Sequence, residues 1–231
     1  MSTLEYDAVG HRYSVGGVEI PSVTRVISDV LMGEKQWADE AAMWRGSVVH
    51  KVCELDDRGT LDEGSIDPAA AGYVDAWRKA KGELGFEFEE IEQPHFSEKH
   101  RFAGRLDRKI IEWRGLLVGR CVLDLKSMKR PSSMPPQVAI QLAAYCILTD
   151  CYGRVAVRLT PDGRYQLTIY PVAELQRDKN IFLASLTVAK CSPTMNSFVG
   201  ALELAEASTD WGVLSSAGIV RQWRREHGLA A

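Results

Sequence analysis

The sequence predicts an α/β protein, a single domain with helical additions at both ends. Three observations predict it. Two stretches before Gly85 carry apolar residues at spacings of three to four or their multiples, as helices do. Three stretches after Gly85 read as strands joined by short polar turns. A helix, a second hairpin and a mainly helical remainder follow. With 231 residues, 45% of them hydrophobic, the chain is long enough for one sizeable core.

Taken in order, HRYSVGGVEIPSVTRVI reads as a small hairpin turning at Gly16-Gly17. Pro21-Ser22 then opens a short helix, which Ser22 or Thr24 caps. From about Lys35 to Asp57 the pattern is helical, with Trp37, Ala41, Trp44, Val48 and Leu55 as its recurring face. A loop with Gly59, Gly64 and Asp67-Pro68 leads to a second helix over 69–84, ended by Gly85. FEFEEIEQPHF, FAGRLDRKIIEW and LLVGRCVLDLKS are the three strands, with Ser97 to Arg101 in the first gap and Arg114-Gly115 in the second. Pro131, Pro135 and Pro136 punctuate a loop, and VAIQLAAYCILTD is a helix whose start tolerates Pro136. GRVAVRLTPDGRYQLTIYP is the second hairpin, turning at Pro161-Asp162-Gly163. From Val172 onward the chain is mainly helical, with a break near Ser192-Pro193.

No apolar run approaches ~18 residues, so no membrane span is expected. The opening MSTLEYDAVGHRY has no basic stretch followed by an apolar one, so no secretory signal is expected. Cys53, Cys121, Cys146, Cys151 and Cys191 are scattered without a CxxC pair, which predicts reduced, buried thiols in a cytoplasmic protein. Net charge is −3, a weak argument against a nucleic-acid partner. The charge is uneven, however. Lys99-His100-Arg101, Arg105, Arg108-Lys109, Lys129-Arg130 and Arg221 to His227 are basic, whereas Asp56-Asp57, Asp62-Glu63 and Glu87 to Glu92 are acidic.

The strand CVLDLKS carries the most chemistry. Alternation puts Val122, Asp124 and Lys126 on one face and Cys121, Leu123 and Leu125 on the other. Buried charges are costly unless paired or bound to a metal. Alone, the strand is best read as a structural Asp–Lys pair. Its surroundings weaken that reading. Asp107 stands 17 residues earlier on the preceding strand, so a hairpin brings it toward Asp124. Two carboxylates and a main-chain carbonyl form a hard oxygen site suited to Mg²⁺ or Mn²⁺. Lys126 then sits beside the attacking water and a scissile phosphate.

Asp107, Asp124-Leu125-Lys126 and Gln141-Leu142-Ala143-Ala144-Tyr145 resemble, in that order, the G-x-x-D strand, D-x-K strand and Q-x-x-x-Y helix of the RecB-like branch of the PD-(D/E)XK nuclease superfamily. Gly46-Ser47-Val48-Val49-His50 fits the G-x-x-x-H helix that often precedes them. His11-Arg12-Tyr13 and Pro21-Ser22-Val23-Thr24 resemble the lead-in of its phage-type and mitochondrial exonucleases. Each motif alone is weak, and their order is the signal. The resemblance implies a restriction-endonuclease-like αβββαβ core with a mixed central sheet. That core is placed at about 36–170 of a single domain 1–231, with an N-terminal hairpin at 11–20 and a C-terminal helical extension at about 172–231. It implies Asp107, Asp124, the Leu125 carbonyl and His50 as ligands of Mg²⁺ or Mn²⁺, Lys126 as the catalytic lysine, and Gln141 and Tyr145 as orienting residues. The structural alternatives are a His50 capped by Glu54, and a core-facing Tyr145 beside a surface Gln141. Glu92 matches, weakly, an acidic position of some relatives.

The first motif reads Leu106-Asp107 rather than Pro-Asp, and the literal Pro161-Asp162 is a hairpin turn. The cysteine spacing predicts no iron–sulfur cluster, and the lack of GxxxxGK[ST] predicts no nucleotide cofactor. HExxH and GxSxG are also absent. The resulting expectation is a metal-dependent DNase, an exonuclease on DNA ends or single strands in phage or bacterial recombination or repair. A recombination or replication protein is a possible partner. A weakly catalytic binding module and a site-specific endonuclease are the alternatives. Arg101, Arg105, Arg108, Lys129 and Arg130 are the expected phosphate contacts. Trp37, Trp44 and Tyr73 are candidates for stacking on bases, with core packing the stronger reading for most of them.

Overall fold

The computed structural model describes residues 3–7, 10–32, 40–113, 120–129 and 133–207, with the backbone alone for 40, 112 and 192–207. Trp37, Arg114-Gly115, Arg130, Pro131 and the basic stretch Arg221 to His227 lie outside the described residues.

The chain opens with a three-stranded antiparallel sheet of β1 (Leu4–Asp7), β2 (Arg12–Val15) and β3 (Val18–Ile20). The β2–β3 turn is the expected one. Gly16 and Gly17 have φ of 59° and 74°, the left-handed pair that a tight two-residue hairpin requires. β1 goes beyond the expectation, because four residues carry too little pattern to be read until β2 pairs with them. Ser22 caps α1 (Val23–Ile27) by accepting the Arg25 N–H at 3.2 Å. A π-helical turn over Ser28–Met32 follows.

Helix α2 (Glu40–Asp57) forms where expected but presents a different face. Trp44, on the predicted apolar stripe, is 54% exposed, whereas Val49 and Cys53 are fully buried. The true stripe continues to Asp57, whose buried carboxylate accepts from Arg108, Lys81 and Trp77. A charged residue on the inner face hides the helical period. Helix α3 (Pro68–Leu84) is capped by Asp67 and closed by Gly85 at φ 63°.

Five strands form the central sheet: β4 (Phe86–Ser97), β5 (Phe102–Trp113), β6 (Cys121–Ser127), β7 (Gly153–Leu159) and β8 (Tyr165–Tyr170), in that spatial order. Only β6 and β7 run parallel, and helix α4 (Gln137–Thr149) makes the crossover that such a pair needs. The succession of α3, β4, β5, β6, α4 and β7 is the restriction-endonuclease-like αβββαβ core, extended by β8. Cys121, Leu123 and Leu125 join Val49, Cys53, Tyr73 and Trp77 in the main core beneath α2 and α3. The pleat therefore turns Asp124 and Lys126 away from that core, toward α4.

Helix α5 (Leu175–Ala207) begins within the first compact unit, Met1–Ser185, and a second unit starts at Leu186. Its first turn is anchored by Asp178, which accepts from the buried Arg154 at 2.5 Å. The expected break at Ser192-Pro193 does not occur. A proline deletes one N–H donor from the ladder, and the flanking bonds carry the helix past it.

Candidate metal and active site

The register of β5 on β6 pairs Arg108 with Leu123, so one step further sets Asp107 across from Asp124. Asp107 reaches over the ladder and its Oδ2 accepts the Leu125 N–H at 2.7 Å. That bond leaves the Leu125 carbonyl to another partner, His50 on α2. His50 Nε2 donates to Leu125 O at 2.9 Å, and Nδ1 faces Asp107 Oδ1 at 3.4 Å and Glu92 Oε1 at 4.0 Å. Glu92 comes from β4, where its φ of 52° is left-handed, a conformation costing a residue with a Cβ about 1 kcal/mol. Among the described residues, His50, Glu92 and Asp107 form the one cluster whose ligand atoms lie within 4.8 Å of each other.

Burial opposes ionisation of Asp107, and His50, Lys126 and Arg108 overcome it, holding the carboxyl well below the usual range. Burial and the neighbouring Asp107 push Glu92 up to about 7 despite the two nearby arginines. Burial disfavours charge on His50, but Asp107 keeps its pKa above the ordinary value. Burial also raises Asp124, against the pull of Lys126.

The other half of the site hangs from α4. Lys126 Nζ lies 2.9 Å from Asp124 Oδ2 and donates to Gln141 Oε1 at 3.3 Å. Gln141 Nε2 donates to Asp124 Oδ1 at 3.1 Å and to the Tyr145 hydroxyl at 3.3 Å. Gln141 and Tyr145 share a helix face because they are four residues apart. Gly104 explains the glycine of the first motif. A Cβ there would lie 2.9 Å from Tyr145 Cε1 and from Val23 Cγ2. Burial opposes the charge on Lys126, but Asp124 and Asp107 keep its pKa raised.

All of this opens into a cleft of about 390 Å³ lined by Tyr6, His11, His50, Glu92, Asp107 and Lys126 among others. Of the expected phosphate contacts, Arg105 lines the cleft and pairs with Glu92 at 3.1 Å, while Arg101 and Lys129 are exposed. Arg108 does not belong with them. Its side chain is 0% exposed and bonded to Asp57, Glu92 and the Asp107 carbonyl, so no phosphate reaches it. Tyr73 is buried in the core and offers no face to a base. Asp162 sits at the β7–β8 turn, bonded to Thr160 and Arg164.

The donor set fits a divalent cation. Ligands about 2.1 Å from an octahedral ion lie about 3.0 Å apart when adjacent and about 4.2 Å apart across it. The 3.4 Å and 4.0 Å separations of His50 Nδ1 from the two carboxylates fall in that span. With Nε2 donating to Leu125, Nδ1 is the nitrogen free to offer a lone pair. Asp124 Oδ2 is buried and faces the Lys126 ammonium at 2.9 Å, a carboxylate oxygen already set against positive charge. Two carboxylates and an imidazole match Mn²⁺ or Mg²⁺ better than a soft metal, and the expected Leu125 carbonyl is not among these ligands, because it accepts from Nε2 on the far side of the ring.

No family model and no curated protein matches the chain. Solved structures do resemble it. The exonuclease LHK-Exo in complex with dAMP shares 15% identity and a TM-score of 0.39, over 79% of this chain and 94% of that one. The alkaline exonuclease LHK-Exo of Laribacter hongkongensis shares 16% identity and a TM-score of 0.36, over 78% and 93%. The protein SSO0001 shares 15% identity and a TM-score of 0.31, over 70% and 83%.

Proposed function

We propose that this protein is a divalent-metal-dependent deoxyribonuclease acting on DNA ends or single strands. The observation that carries the reading is the meeting of His50, Glu92, Asp107 and the Leu125 carbonyl on one side of β6 with Lys126, Asp124 and Gln141 beside them. His50 through Nδ1, with Glu92, Asp107 and Asp124, would hold the ion, while the Leu125 carbonyl would steady the imidazole by accepting from Nε2. Once bound, a divalent ion polarises the phosphate and makes water acidic enough to attack near neutral pH.

The chain's own residues supply the rest. Lys126, 30% exposed at the cleft, presents a compact cation to charge developing on the scissile phosphate. Gln141 fixes Lys126 and Asp124 at once, and Tyr145 fixes Gln141. Arg105, Arg101 and Lys129 would contact flanking phosphates.

The test incubates pure protein with labelled linear single- and double-stranded DNA and with closed circular DNA, in Mn²⁺ and in Mg²⁺. Wild type should shorten linear DNA, and Asp124→Ala should not. Equal inertness of both proteins on every substrate would sink the reading. Cutting of closed circles would move it to an endonuclease.

A further inference from the structure

Arg108 is the most deeply buried charge beside the site, and its partners are not those of a simple core ion pair. Its Nε donates to Asp57 at 2.6 Å. Its Nη1 donates both to Glu92 Oε1 at 3.1 Å and to the Asp107 carbonyl at 2.7 Å. One guanidinium therefore grips a side chain and a main-chain atom of two residues in the candidate ligand set. Behind it, the second oxygen of Asp57 accepts from Trp77 Nε1 at 2.9 Å and from Lys81 Nζ at 2.7 Å. The guanidinium also lies 5.8 Å from the centre of the Trp77 ring.

Stability alone is a poor reason for this arrangement. Buried ion pairs add little over well-packed apolar residues. Here Arg108 Nη2 is buried with no hydrogen-bond partner, which carries a penalty of about 1–3 kcal/mol. Glu92 adds a left-handed backbone to that burden. What the arrangement does achieve is direction. The guanidinium is planar and rigid, so its Nε bond to Asp57 sets the direction from which Nη1 meets Glu92 and the Asp107 carbonyl. Asp57, locked by Trp77 and Lys81, fixes the fork in turn.

Resting on the metal-site reading above, we infer that Arg108 is a positioning residue. Held by Asp57, it aims the Glu92 carboxylate and the Asp107 backbone at the ion and so sets metal affinity from inside the core. It touches neither DNA nor the ion. Partners standing behind metal ligands typically set affinity by about ten- to a hundredfold.

The experiment measures Mn²⁺ binding by calorimetry without DNA, alongside thermal melting. The variants are Asp57→Asn with Arg108→Gln, Glu92→Gln, and all three together. The paired substitution removes both charges and leaves an amide at each position. It should stay folded and bind Mn²⁺ about tenfold or more weakly. Adding Glu92→Gln to it should cost less than the two losses multiplied together, because the part of the effect that runs through the Glu92 carboxylate is already gone. A folded pair that binds within twofold of wild type overturns the inference, and so do losses that simply add. Should the pair fail to fold, Arg108→Lys decides by the same criteria. It keeps a buried cation opposite Asp57 but lacks the fork, so its affinity should also drop. A wild type that binds no Mn²⁺ removes the metal site itself, an outcome separate from a loss confined to the variants.

Discussion

The imidazole of His50 and the main-chain carbonyl of Leu125 lie 2.9 Å apart, although 75 residues separate them in the chain. The bond joins α2 to the strand carrying Asp124 and Lys126, and it points Nδ1 at Asp107 and Glu92. A histidine held this way would present a metal ligand from a rigid mount. His50→Ala should weaken Mn²⁺ binding by about ten- to a hundredfold. Melting should change little, since the ring is 27% exposed. Calorimetry on the metal-stripped protein checks this, and unchanged affinity would remove His50 from the ligand set.

Lys126 makes the opposite forecast. Its ammonium lies on the Asp124 and Gln141 side, paired with Asp124 at 2.9 Å. Lys126→Ala should lower kcat by about 10²–10³ while leaving Mn²⁺ affinity intact or slightly better, because a competing cation leaves the carboxylate. Steady-state kinetics beside metal titration separates the two roles. Parallel loss of both would make the lysine a structural partner of Asp124.

Much of this was legible in the residues because backbone geometry is periodic. The alternation of CVLDLKS puts its leucines into the core and its charges toward α4. Gly16-Gly17 and Pro161-Asp162-Gly163 mark turns through conformations few other residues adopt. Glu92 was harder to single out. It is one of several glutamates in FEFEEIEQPHF, and only its left-handed φ, invisible in a sequence, turns it to the site. Arg108 reads as a surface base because arginine seldom lies fully buried, and its partner Asp57 belongs to a helix whose inner face was misassigned for the same reason. Buried charge networks break the apolar pattern that locates a core.

Acid should loosen the network around α2. Burial opposes ionisation of Asp56, but Lys81 and Arg78, donating at 2.6 Å and 2.7 Å, hold its pKa below the ordinary 3.8. Its stabilisation is therefore fully present above 3.8 and is lost as pH falls through the lowered folded value. Asp56→Asn should be less stable than wild type by about 2 kcal/mol at pH 7, with the gap closing as pH falls below 3.8. Urea unfolding across pH measures the gap. A gap independent of pH would mean that the loss comes from shape rather than charge.

Gly72 tests the packing of α3 on the β7–β8 hairpin. A Cβ at that position would collide with the main-chain carbonyl of Pro161, and a backbone obstacle moves only if the hairpin moves. Gly72→Ala should destabilise by about 3 kcal/mol despite alanine's better helix propensity. In a unit of this size that lowers Tm by about 6–12 °C. Differential scanning calorimetry measures it, and a neutral or raised Tm would show that the hairpin yields freely.

Gly104 separates packing from chemistry, because what its Cβ would meet is side chain rather than backbone. Tyr145 Cε1 and Val23 Cγ2, both 2.9 Å away, must give way in Gly104→Ala. The expected stability loss is about 1–3 kcal/mol, since side chains yield at less cost than a strand. The displaced ring takes its hydroxyl away from Gln141, which at 3.3 Å has little length to spare. Gln141 then holds Lys126 and Asp124 less firmly, and kcat should fall about tenfold with a smaller loss of Mn²⁺ affinity. Tyr145→Phe removes the same hydroxyl without touching the packing, and it should reproduce the fall in kcat with almost no change in Tm. If the effect runs through that one hydrogen bond, the combined variant will be no slower than Gly104→Ala alone. Losses in kcat that multiply would instead mean that the ring itself, or the strand bearing Asp107, had moved.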